Sequence, residues 1–229
     1  MSLPPAAETD LMPSLGRLVR GLNLLFWGLP ITLVVCVQTA RTGLLGGFGL
    51  FPPVIANGVL LHALMLARSF RRQERVWIHA LERVRLLAVV NLGLSPFLHW
   101  WKLLPGVAHY QIAVAMMACT GLLFLFCLNL ALQRLAAMLP DQTIRLEARL
   151  FTNLNLGLLA ATALLALLGL GLWQVEPVPD WAAPYLRVAL HLGVAALLVF
   201  VLLPLALTMT LIWKIKEAIL ASVFRSGRL

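Results

Sequence analysis

The sequence predicts an all-α fold, a polytopic bundle of six transmembrane helices, and three observations carry that expectation. The chain is 61% hydrophobic and only 12% charged, with a mean hydropathy of +0.92, whereas about a quarter of the residues in a soluble domain are charged. Its apolar residues gather into six runs, at 21–40, 46–67, 86–101, 107–132, 152–175 and 188–213. Its cations divide unevenly between the two ends of those runs. With both termini cytoplasmic, fifteen of the 18 Lys and Arg residues fall in cytoplasmic segments, and only Arg41, Lys102 and Arg187 fall outside. That is the positive-inside pattern. A four- or five-span path would carry one basic group across the membrane and spoil the asymmetry.

Residues 1–20 read as a short cytoplasmic segment ending in Arg17 and Arg20. They have the look of a signal-peptide n-region. The apolar run that follows is longer than a usual h-region, and cleavage after Ala40 would put Gln38 where a small residue is wanted. The expectation is an uncleaved first span. The entry to the second span, Gly43–Phe48 with Pro52 and Pro53, is the most irregular part of the chain, and reads as a re-entrant element or an outer loop. The third run is the shortest. Its 16 residues between Arg85 and Lys102 cover about 24 Å at 1.5 Å per residue, against a hydrocarbon core near 30 Å. Snorkelling by Lys102 and interfacial seating of Trp100 and Trp101 would make up the difference.

The segment Arg68–Arg85 contains no Gly or Pro, and Phe70, Trp77, Ile78, Leu81 and Val84 recur near helical spacing. It reads as an amphipathic helix on the inner leaflet or against a partner. The tail 214–229 reads similarly. The transmembrane domain is thus 21–213, between the N-terminal segment and that tail. Trp100, Trp101, Tyr110, Trp173, Trp181 and Tyr185 fall at the outer boundary, and Trp77 and Trp213 near the inner one, as aromatic belts do. Trp27 fits neither belt.

Asn91-Leu-Gly-Leu94 opens span three and Asn155-Leu-Gly-Leu158 opens span five, while Asn23-Leu24 opens span one. Each lies just inside a cytoplasmic arginine. Three pseudo-repeated helical hairpins are therefore an option the sequence leaves open.

No Asp, Glu, Lys or Arg lies in the middle of any span, which argues against a proton relay or a voltage sensor. The polar residues that do enter the membrane, Asn23, His62, Asn91, Asn129, Asn155 and Thr208, lie within about two turns of the cytoplasmic boundary. Interhelical hydrogen bonding is their expected role, ahead of a polar site open to the cytoplasm. His99, His109 and His191 share one depth near the outer face, where imidazoles could hold haem or a metal ion. No HExxH or CxxCH motif accompanies them, so no haem, metal or other cofactor is expected. Cys36, Cys119 and Cys127 lie in apolar runs without a CxxC pair and read as small buried apolar side chains. Pro30, Pro52, Pro53, Pro96 and Pro204 enter spans and each frees a backbone carbonyl.

No P-loop, GxSxG or paired-carboxylate arrangement occurs, so nothing marks an enzyme. The basic excess is a topology signal and a contact for anionic lipid headgroups on the cytoplasmic side, not a nucleic-acid footprint. The expected role is a multi-pass inner-membrane subunit or scaffold, partnered by other membrane subunits or by copies of itself. The rivals are a small transporter or channel for a neutral or amphipathic solute, and a haem- or metal-binding redox anchor.

Overall fold

The computed structural model describes residues 5–42, 48–68, 75–139, 142–173 and 183–226. They form six α-helices: α1 Pro5–Arg41, α2 Phe51–Arg68, α3 Arg75–Leu103, α4 Ala108–Ala137, α5 Gln142–Trp173 and α6 Ala183–Ser226. No strand occurs among the described residues. Five of the six helices are long and apolar enough to cross a membrane. The exception is α3, whose apolar run is short and diluted by Asn91, Ser95, Pro96 and His99. It nonetheless packs between α2 and α4 and buries Asn91 and Ser95.

Polarity is distributed as lipid demands. Leu167 is 66% exposed and Trp27 59%, while Asn155 and Thr208 are completely buried. In hydrocarbon an unpaired polar group costs several kcal/mol, whereas an exposed leucine costs nothing. The chain is a multi-pass helical membrane protein.

Consecutive helices pack side by side, and α1 also touches α6, which closes the six into a ring. Neighbours run antiparallel, as their contacts order them. Along α1 and α2, a Cβ on Gly21 would lie 2.8 Å from the Ala63 carbonyl, and one on Gly28 would lie 2.9 Å from Leu60 Cδ2. Further along, the Thr32 hydroxyl donates to the Ala56 carbonyl at 3.3 Å. Glycine is required at 21 because the two backbones approach too closely for any side chain, a common device in membrane helix pairs. Phe97 and Trp100 of α3 meet Tyr110 of α4, each pair with ring centroids 6.2 Å apart, and form an aromatic knot at the outer turn. Between α5 and α6, Lys214 Nζ donates to Glu147 Oε2 at 2.7 Å.

The long first and last helices run beyond the apolar spans. The N-terminal segment and the tail are continuations of α1 and α6, not separate elements. At 37 and 44 residues, these helices run about 55 and 65 Å, well beyond a bilayer core. The segment after Arg68 likewise continues into α3 from Arg75; residues 69–74 lie outside the described set. Trp77, Leu81 and Val84 do not lie on a leaflet, because they are buried in the protein's own core. They pack there with Leu18 and Leu22 of α1, Leu132 and Leu135 of α4, and Ile212, Ile215 and Ile219 of α6. The core therefore sits at the end of the ring that carries the arginines, here called the basic end.

Candidate functional site

Away from the basic end the ring is hollow. A cavity of about 410 Å³ lies at its centre and is lined by side chains from all six helices. Small residues on α4 make room for it, since Ala118 and Gly121 face the space and a Cβ on Gly121 would meet nothing within 4 Å. Leu29, Leu60, Phe124 and Leu205 form its floor, since they belong both to the cavity wall and to the packed core. The wall is almost wholly apolar. Among the described residues its polar side chains are Thr32, Asn57, Asn91, Thr162 and the Cys36 thiol, with no charged group.

About one helical turn beyond the floor stands a hydrogen-bonded node that joins three helices. The Thr208 hydroxyl accepts from Asn129 Nδ2 on α4 at 2.9 Å and from Asn155 Nδ2 on α5 at 2.8 Å. It donates to the Pro204 carbonyl of its own helix at 2.7 Å. One donor and two acceptor sites are all a hydroxyl has, so Thr208 is saturated. Asn155 Oδ1 and, one turn toward the basic end, Thr152 Oγ1 find no partner among the described residues.

Prolines explain where the other hydroxyls go. Pro204 has no N–H, so the Phe200 carbonyl loses its partner within the helix; Thr162 Oγ1 of α5 lies 2.8 Å from it. Asn155 Nδ2 reaches the Pro204 carbonyl itself at 3.1 Å. Pro96 frees the Leu92 carbonyl in the same way, and Ser95 Oγ donates to it at 2.8 Å.

The six polar residues singled out in the sequence thus have different surroundings. Asn129, Asn155 and Thr208 come together in the node. Asn91 lines the cavity and accepts from the Thr120 hydroxyl of α4 at 2.6 Å. Asn23 is exposed and accepts from Lys216 Nζ at 3.4 Å, on a seam where Phe26 and Trp213 also meet. His62 is exposed and turned away from the bundle. Asn91 and Asn155 each bond the following helix of their own hairpin, whereas Asn23 does not, so the hairpin pseudo-repeat is uneven at these positions. The cavity residues Thr32, Asn57, Thr162, Ala118 and Gly121, and Thr120 behind Asn91, escape a reading centred on asparagine and histidine. Asn57, one turn after Pro53, was the available signal, whereas Thr162 reaches the carbonyl freed by Pro204 only across the helix pair.

His99 is half-buried and His109 exposed, with its ring 4.2 Å from that of Tyr110; the side chain of His191 is not described. No cluster of three potential metal ligands occurs among the described residues. Of the cysteines, Cys36 lines the cavity and Cys127 is half-buried, but Cys119 faces outward, contrary to the expected burial. No family model, curated protein sequence or solved structure matches this chain.

Proposed function

We propose that this protein is a small inner-membrane carrier or channel that takes a neutral or amphipathic solute into the central cavity. The supporting observation is the hollow itself, to which all six helices contribute and whose described lining carries no charge. A chain serving only as a subunit or scaffold, the role composition alone favours, has no use for about 410 Å³ of unfilled space at its centre, because membrane helices associate chiefly through close packing. Its volume falls within the usual range for ligand pockets, roughly 300–1,000 Å³. The plug of Leu29, Leu60, Phe124 and Leu205 and the node beyond it close the cavity toward the basic end. Closure at one end is what one state of an alternating-access cycle requires. Both termini are cytoplasmic in this reading, with the basic end against anionic headgroups.

Gentle detergent extraction followed by identification of retained small molecules tests the proposal. A solute should accompany the natural chain and be retained less by Gly121→Phe, whose ring projects into the cavity. Equal retention by both chains would refute it.

A further inference from the structure

We propose that the cavity selects an uncharged, lipid-like molecule carrying a hydrogen-bond-accepting oxygen, and that the side-chain amide of Asn91 holds that oxygen. This rests on the cavity being a solute site, and goes further by naming the chemistry recognised.

The argument is one of hydrogen-bond accounting along the wall. Thr32 uses its proton on the Ala56 carbonyl, and Thr162 uses its own on Leu158 or Phe200, each at 2.8 Å. Asn57 Nδ2 donates to the Pro53 carbonyl at 2.8 Å. Both hydroxyls are thus spent on backbone, as is usual for polar side chains within a membrane, and Asn57 keeps a single amide proton.

Asn91 differs. Its oxygen takes the Thr120 hydroxyl at 2.6 Å, the shortest of that hydroxyl's three contacts; the Met116 and Met117 carbonyls lie at 2.9 and 3.1 Å. Thr120 thereby fixes the amide from the α4 side and leaves both amide protons without an acceptor among the described residues. Asn91 is only 7% exposed and lines the cavity, so a molecule lodged in the cavity comes within reach of the amide. An oriented donor pair facing an apolar space matches a carbonyl, ester or ether oxygen. The rest of the wall matches a hydrocarbon chain of roughly a dozen carbons, taking a methylene as about the size of a water molecule at ~30 Å³. A carboxylate or ammonium head would be desolvated there with no counter-charge, which is strongly unfavourable.

Native mass spectrometry of the detergent-purified chain tests this with three probes of equal length: a long-chain methyl ketone, the alkane and the fatty-acid anion. The ketone should bind up to about tenfold more tightly than the alkane, the effect of one net hydrogen bond, and the anion most weakly. In Asn91→Leu the ketone should fall to the level of the alkane, whose unchanged binding shows that the pocket is intact. Thr120→Val, which keeps the amide but releases its orientation, should weaken ketone binding severalfold and leave the alkane alone. Ketone and alkane binding equally, or the anion binding best, overturns the inference and leaves the solute site standing. Binding by none of the three, or binding undiminished in Gly121→Phe, overturns both.

Discussion

Asn155 of α5 donates to the Thr208 hydroxyl of α6 at 2.8 Å, and that hydroxyl also takes Asn129 of α4, so one oxygen ties three helices at the closed end of the cavity. Thr208→Val keeps the shape and removes the oxygen. Each amide retains a backbone acceptor, Leu125 for Asn129 and Pro204 for Asn155, so the loss should stay moderate. A cost of about 1–2 kcal/mol is expected, in line with membrane hydrogen bonds that average ~0.6 and reach ~1.7 each. Thermal unfolding in detergent measures it. Thr208→Ser should remain close to the natural chain; equal losses for Val and Ser would show that the methyl group, not the hydroxyl, matters.

Gly21→Val should be among the most damaging single changes in α1. The new Cβ meets backbone on both sides, the Ala63 carbonyl at 2.8 Å and the Ala67 nitrogen at 3.1 Å, and backbone cannot rotate aside. Overpacking of this kind costs about 1–3 kcal/mol. Gly157→Ala is the control, since nothing lies within 4 Å of its Cβ position. It should be neutral or stabilising, by up to about 1 kcal/mol. Comparable destabilisation by both would contradict the close α1–α2 packing.

The Lys214–Glu147 pair looks strong at 2.7 Å yet should contribute little. Both side chains are more than a third exposed, and such pairs couple by about 0.2–1 kcal/mol. A double-mutant cycle with Lys214→Met and Glu147→Gln should give a coupling in that range that shrinks as salt is raised. A coupling well above it, insensitive to salt, would place the pair in a dry site instead.

Topology is open to thiol labelling in a background lacking Cys36, Cys119 and Cys127. Cysteines placed at Asp141 and Ser226 should resist a membrane-impermeant reagent added to intact cells, and one at Asp180 should react. Labelling at 141 and 226 but not at 180 would reverse the orientation.

The helical membrane fold was legible because lipid makes one strong demand: long apolar runs with charge confined to their ends. The runs ending near Ala40, Arg68 and Arg134 correspond to α1, α2 and α4. What the runs could not reveal is where a helix ends outside lipid. Apolar length says nothing of the polar turns before Gly21 or after Trp213, where packing of Leu18 against Ile215 and Ile219 takes over. Trp77 shows the same limit, since an indole near a membrane boundary suits an aromatic belt and a packed core equally well. The site was legible only in part. Asparagine is rare enough in apolar runs for Asn91, Asn129 and Asn155 to stand out. A hollow is made by residues that are small, and Ala118 and Gly121 are indistinguishable in sequence from the other small residues of α4.

The account depends most on that hollow, and xenon reports it directly, because apolar cavities far smaller than this one take up the gas. Crystals of the detergent-extracted protein, pressurised with xenon, should show anomalous density at the ring centre among Leu29, Val114, Gly121 and Val201, all of which line the cavity. The same crystals of Gly121→Phe should show weaker or displaced density there. An empty ring centre in the natural chain, or density unchanged in Gly121→Phe, would contradict the account.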